Sequence, residues 1–325
     1  MSKGKIKNSI WLVLVDCIKI YFSNIDKFIL YMLFPVLGQI IGLLLAFGLG
    51  IGFADRIAEK ATSMSNALLY VFLLTIPGLL IFVKAFWDYM VAYVALNSMT
   101  EGALTTGKVY DFQSHREVAT RRAGKYILFL IAIGILSCIA TFCCIIPVFG
   151  LIPPLILWIY FILVFQVFTF EQDLSIKECF VKSMELVKGN WAKTFCLMLI
   201  LGFFSIYIIT MGVTVIFDYL NLTDITCSLF DIVGKSLPLE YINKALRYIN
   251  QPVITVEMIS KSIFTSIVGV IVAEFTLPVR SIAYTLWYMG LSDTKGNEIE
   301  TLTQNKPKKH RKTVKKSKAE VEDNE

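Results

Sequence analysis

The sequence predicts an all-α, polytopic membrane helix bundle, with about six transmembrane helices and amphipathic helices lying on the cytoplasmic interface. Three observations carry that reading. The 325 residues are 56% hydrophobic and only 17% charged, with a mean hydropathy of +0.67, whereas soluble domains run at about 25% charged. The apolar residues gather into six long segments. Lys and Arg alternate between rich and poor connections from one segment to the next.

A hydrocarbon core of about 30 Å requires about 20 apolar residues per helix. Segments 28–53, 67–96, 126–149, 155–170, 191–217 and 263–287 meet that need. Ahead of the first, Ile6, Ile10, Val13, Leu14, Cys17, Ile18, Tyr21 and Phe22 recur at helical spacing, opposite Lys7, Ser9, Asp16, Lys19 and Ser23. The pattern predicts an amphipathic helix on the membrane surface. Asp16 and Lys19 also interrupt the uncharged run that a cleaved signal peptide would need, so the segment is expected to be retained. In the first span, Gly38, Gly42, Ala46 and Gly50 lie four apart on one face, which lets another helix approach closely. Packing inside the bundle is the expected use, ahead of contact with a second copy of the chain. The second span carries Pro77-Gly78 and predicts a kink or tilt. Pro153 and Pro154 turn the chain into the fourth span. Before the fifth, Ser175 and Glu178 form a capping box opening a second surface helix, with Ile176, Cys179, Phe180, Met184 and Val187 as its stripe. The first and second surface helices overlay at an offset of 166 residues, Ser9 on Ser175 and Lys27 on Lys193, with a weaker third copy in DFQSHREVATRRAGKY. The repeat would be a surface helix, a small polar break and a membrane hairpin.

Five Lys and Arg precede residue 28, five lie in 97–125, four in 171–193 and nine after Leu291. The intervening connections hold two (Arg56 and Lys60), none (150–154) and four (218–262). Rich flanks face the cytoplasm, so a multi-pass protein of the cell membrane with both termini cytoplasmic is expected. Residues 1–291 would form the membrane domain. The tail 292–325, basic and then acidic, is too poor in apolar residues to build a core. Its run KPKKHRKTVKKSK, like the surface helices, would meet anionic lipid headgroups of the bilayer. No aromatic residue interleaves with those charges, so nucleic acid is not the expected partner.

No metalloprotease, nucleophile-elbow, P-loop or dinucleotide motif occurs, and no catalytic residue, cofactor or metal is expected. Gly48, Gly50 and Gly52 follow no strand, and the seven Cys lack metal-ligand spacing. The unusual residues are charges inside spans, which are costly in lipid and point to function by default. Lys84 and Asp88 lie in the second span, Glu274 and Arg280 in the sixth. At about 1.5 Å per residue, Lys84 and Arg280 fall about 25 Å from the outer ends of their helices, and Glu274 about 16 Å. A direct Asp88–Arg280 pair is therefore predicted, with Lys84 one turn away.

Two stretches, DLSIKECFVKSMELVKGNWAKTF (173–195) and PVRSIAYTLWYMGLSDTKGNEIE (278–300), carry a resemblance. They are similar to segments of bacterial six-helix membrane proteins that resemble the membrane domain attached to some glycerophosphodiester phosphodiesterases. The resemblance implies a helical membrane module over residues 1–300 without an assigned reaction, and no catalytic residue carries over from it. The expected function is a non-enzymatic module in envelope organisation or partner binding, with a protein partner or a homo-oligomer open. The alternative is a transporter or channel with a polar path through Glu274, Lys84, Asp88 and Arg280. A lipid-modifying enzyme is the weakest reading.

Overall fold

The structure, a computed structural model, describes residues 9–109, 112–144, 149–237, 239–248 and 250–304. Among these no strand occurs. Helix α1 (Ile10–Ser23) stops at Asn24, whose side chain accepts from the Val109 N–H at 3.2 Å, and α2 (Ile25–Gly52) departs at once. After the short α3 (Ala54–Lys60), α4 (Met64–Thr106) opens on the Ser63 hydroxyl cap and closes at Gly107, whose φ of 78° lets the chain reverse. Next come α5 (Phe112–Thr120) and α6 (Ala123–Cys143). A 3-10 turn (Phe149–Leu151) leads to α7 (Ile152–Phe161) and α8 (Val164–Phe170). The predicted capping box opens α9 (Ile176–Val187), and Gly189, at φ 89°, separates it from α10 (Trp191–Gly202). A π-helical stretch (Phe203–Ile208) joins α10 to α11 (Ile209–Tyr219). Three short helices follow, α12 (Leu222–Ser228), α13 (Asp231–Ser236) and α14 (Leu239–Tyr248), then α15 (Val256–Phe275) and α16 (Leu277–Gln304).

Six of these segments are long and apolar enough to cross a membrane: Ile25–Leu49, Met64–Thr106, Ala123–Cys143, Ile152–Phe170, Trp191–Tyr219 and Val256–Phe275. The chain is an all-α, multi-pass membrane bundle. Three times a short amphipathic helix (α1, α5, α9) directly precedes a span (α2, α6, α10), in the order that the internal overlay predicts.

Several sequence expectations need correction. The sixth span ends at Phe275 and does not run to 287. Pro278, lacking an N–H and clashing with the preceding turn, cannot continue α15, and α16 starts anew beyond Thr276. The second span does not stop at 96, because α4 continues to Thr106 and α5 folds back against it. The connection 218–262 is not a plain loop but contains α12 to α14, held to α15 by a Ser260–Asp231 hydrogen bond of 2.7 Å. The tail is not irregular from 292, since α16 runs to Gln304. The rest of the tail, with its basic run, lies outside the described residues, as do 145–148 at the end of the expected third span.

Helix α1 has three faces where the sequence suggests two. Val13, Cys17 and Ile20 are buried in the protein, with Ile10, Leu14 and Tyr21 packed beside them, and Cys17 bonds the Val279 carbonyl of α16 at 3.2 Å. Trp11 (72% exposed), Ile18 and Phe22 form a separate apolar face, about 100° round the helix from Lys19 and Ser23. A helix at the corner of protein, lipid and water needs those three faces.

The small-residue stripe of α2 lies against α4. A Cβ at Gly42 would sit 2.6 Å from the Phe82 backbone nitrogen, and one on Gly78 of α4 would meet the Ala46 backbone. Gly38 stands equally close to Ala85, while nothing is described around Gly50. The backbones approach because no side chain intervenes. Gly42→Leu and Gly78→Leu should each destabilise the detergent-solubilised protein by about 1–3 kcal/mol through overpacking, read as a lower melting temperature. Gly48→Leu, with open space around its Cα, should leave melting unchanged, and equal losses at all three positions would contradict this packing.

Candidate functional site

Around the fully buried Asn97, three helices meet. Its side-chain oxygen accepts from Gln166 (3.2 Å) on α8 and from Ser281 (2.7 Å) and Thr285 (3.2 Å) on α16, and its amide donates to Thr169 (3.1 Å). Ser281 and Thr285 are one turn apart on one face of α16, as are Gln166 and Thr169 on α8, so helical spacing aims each pair at the same point. Nearby, the Trp287 indole donates to Thr194 at 3.0 Å and the Tyr288 hydroxyl to Glu171 at 2.9 Å. Burial, and then the Glu171 carboxylate, raise the Tyr288 phenol well above its ordinary pKa. The first half of α16 is apolar nearly all round and is buried accordingly.

Beside this junction lies a cavity of about 810 Å³. Its walls are Trp87 and Tyr93 of α4, the inner face of α6, Trp158 and Phe165 of the α7–α8 limb, Ile206 of the π stretch, and Tyr284 of α16. No residue of α6 between Phe129 and Ala140 is buried, because that face of the helix borders open space and not a neighbouring helix. Among the polar residues of the wall, Asn97 and Ser281 belong to the junction, where Ser281 donates to Asn97, and Arg280 is the neighbour of Ser281 on α16. Arg280 donates through Nη2 to the Ala273 carbonyl, capping the end of α15, while its Nε is buried without a partner. The π stretch supplies the Ser205 carbonyl to the Thr276 hydroxyl (3.1 Å), which steadies the α15–α16 break. Interrupted helices of this kind recur at functional sites.

The predicted intramembrane charge network divides. Asp88 pairs with Lys84 at 2.5 Å and with Arg116 of α5 at 2.7 Å, and its side chain is only 10% exposed. Glu274 accepts instead from Gln39 of α2 at 3.3 Å. Among the described residues, neither Arg280 nor Glu274 meets an oppositely charged side chain within ion-pair distance, so the expected Asp88–Arg280 pair is not formed. Equal depths for Asp88 and Arg280 require a straight sixth span, and the helix breaks at Thr276. Asn97, the first residue of the connection 97–125 by sequence, lies instead inside α4. The signal available was the i, i+3 and i, i+4 spacing of polar residues within apolar helices.

At the end of the bundle that carries α5 and α9, cations cap α8. Arg122 donates to the Phe168 carbonyl at 3.2 Å and lies 4.7 Å above the Phe168 ring, and Lys125 donates to the Gln172 carbonyl at 3.0 Å. Burial lowers the Arg122 pKa, and hydrogen bonds from Ser175 hold Glu178 below the ordinary carboxylate range. Among the described residues no three His, Cys, Asp or Glu gather as metal ligands, and the seven Cys are all free thiols.

No protein-family model, curated protein or solved structure matches the chain.

The Asp88 arrangement yields a charge-exchange test. Asp88→Asn leaves Arg116 and Lys84 without their carboxylate and should cost about 1–3 kcal/mol, seen as reduced folded yield. Placing Arg at 88 and Asp at 116 should recover part of the yield, whereas exchanging Asp88 with Arg280 should not. Recovery only in the second exchange would contradict the geometry.

Proposed function

We propose that the chain is a non-enzymatic module of the cell membrane, both termini cytoplasmic, that works by binding within the bilayer and not by conducting solute along a polar path. The observation that carries this is the character of the cavity. Its wall is apolar, and Lys84, Asp88 and Glu274 stand outside the residues that line it. A conducting path needs polar groups in series, and here Asp88 is engaged with two cations while Glu274 is bonded to an amide. The likeness to the membrane domain attached to some glycerophosphodiester phosphodiesterases is part of this reading. The segment that carries it contains a surface helix, a positive-φ Gly189 and the helix that starts at Trp191.

Two measurements test the proposal. Reporter fusions after Gly107 and Gly189 should read cytoplasmic, and fusions after Lys60 and Gln251 external. An inverted pattern would overturn the orientation. In reconstituted vesicles carrying proton and potassium gradients, flux should equal that of empty vesicles. Flux above that level that disappears in Glu274→Gln would replace the binding module with a transporter.

A further inference from the structure

We propose that the cavity headed by Arg280 holds an anionic membrane lipid, its acyl part against the apolar wall and its phosphate on the Arg280 guanidinium. The proposal deepens the binding-module reading by naming the class of ligand. A volume of about 810 Å³ lies within the roughly 300–1,000 Å³ of small-molecule sites, which pair mostly apolar walls with a few converging polar groups. Such a division matches an amphiphile: hydrocarbon along α6 and α7, a polar head at Arg280, Ser281 and Asn97.

Charge selects the head. Among the described residues, Arg280 is the one charged residue in the wall, and no carboxylate pairs with it. One of its nitrogens is committed to the end of α15, and Nε is buried with no acceptor. A buried donor in that state is destabilising until an acceptor arrives. A phosphate offers several charged oxygens, and the planar guanidinium fork matches them with paired N–H donors.

The mouth selects the source. Phe86 of α4 and Ile127 and Ile131 of α6 line the cavity and are exposed on the apolar flank of the bundle. That flank lies against lipid, so the cavity is continuous with the bilayer and a lipid reaches it sideways. An ion arriving from water would have to cross the apolar wall.

The test uses the full chain in detergent, titrated with dioctanoyl phosphatidic acid, dioctanoylglycerol and inorganic phosphate, with binding read by native mass spectrometry. Phosphatidic acid should bind saturably, one per chain, and at least about tenfold more tightly than the other two. Arg280→Gln should bring it down to the level of dioctanoylglycerol. Gly134→Trp leaves Arg280 intact and projects into the cavity, where a Cβ at Gly134 meets nothing within 4 Å, and should abolish binding of both lipids. If Arg280→Gln does not fold, the Gly134 variant decides alone. Unchanged phosphatidic acid binding in Gly134→Trp, or inorganic phosphate binding as tightly as the lipid, would overturn the proposal. Vesicle flux is a separate readout, so loss of the ligand and loss of the module reading are told apart.

Discussion

Asn97 sits where α4, α8 and α16 converge, and its amide is the constraint from which the bundle's geometry follows. A buried amide in a medium of low dielectric is stable only when its hydrogen bonds are made. Here the partners come from residues 69 to 188 positions away in sequence. Satisfying them fixes the rotation of α8 and α16 about their own axes. Once α16 is set, Trp287 reaches Thr194 on α10, Tyr288 reaches Glu171, and α1 finds the Val279 carbonyl. The same junction holds the α7–α8 limb and α16 as two walls of a wedge, and the middle of α6 borders the space between them.

The two ends of the molecule consequently differ. From Val91 to Thr100, α4 is largely buried among α1, α5, α8 and α16. Its first half touches chiefly α2 and presents Leu68, Leu69, Phe72, Leu80 and Val83 outward. In water that surface would be untenable, and in a bilayer it is the ordinary exterior. Close approach of α2 and α4 through Gly42 and Gly78 then supplies the packing that water would otherwise enforce, since lipid tails give helices no hydrophobic reason to associate.

The membrane class, the spans and the α2–α4 seam were legible because each is written in local pattern: apolar length, charge alternation, and glycines four apart. The capping box at Ser175 and Glu178 was legible for the same reason. Asn97 was not, because Asn97-Ser98, Thr100 and Glu101-Gly102 read as a loop by composition, and only tertiary partners far along the chain make them helical interior. Arg280 was found but misplaced. Pro278 is visible in the sequence, yet whether a proline kinks a helix or ends it depends on what satisfies the freed backbone carbonyls, here the Thr276 hydroxyl on Val272 and the Arg280 side chain on Ala273. The Asp88–Arg116 pair is not legible in the sequence, because the pattern of α5 is that of a surface helix, whereas α5 docks along α4 and delivers its arginine there.

A space between α4, α6 and α16 that is continuous with lipid and closed to water is open to a direct measurement. Nitroxide labels at Gly134 and Ser137, both in the wall, report collision with oxygen and with a water-soluble nickel chelate in reconstituted bilayers. High oxygen and low nickel accessibility is expected at both sites. High nickel accessibility at either would mean a water-filled passage and would contradict that closure.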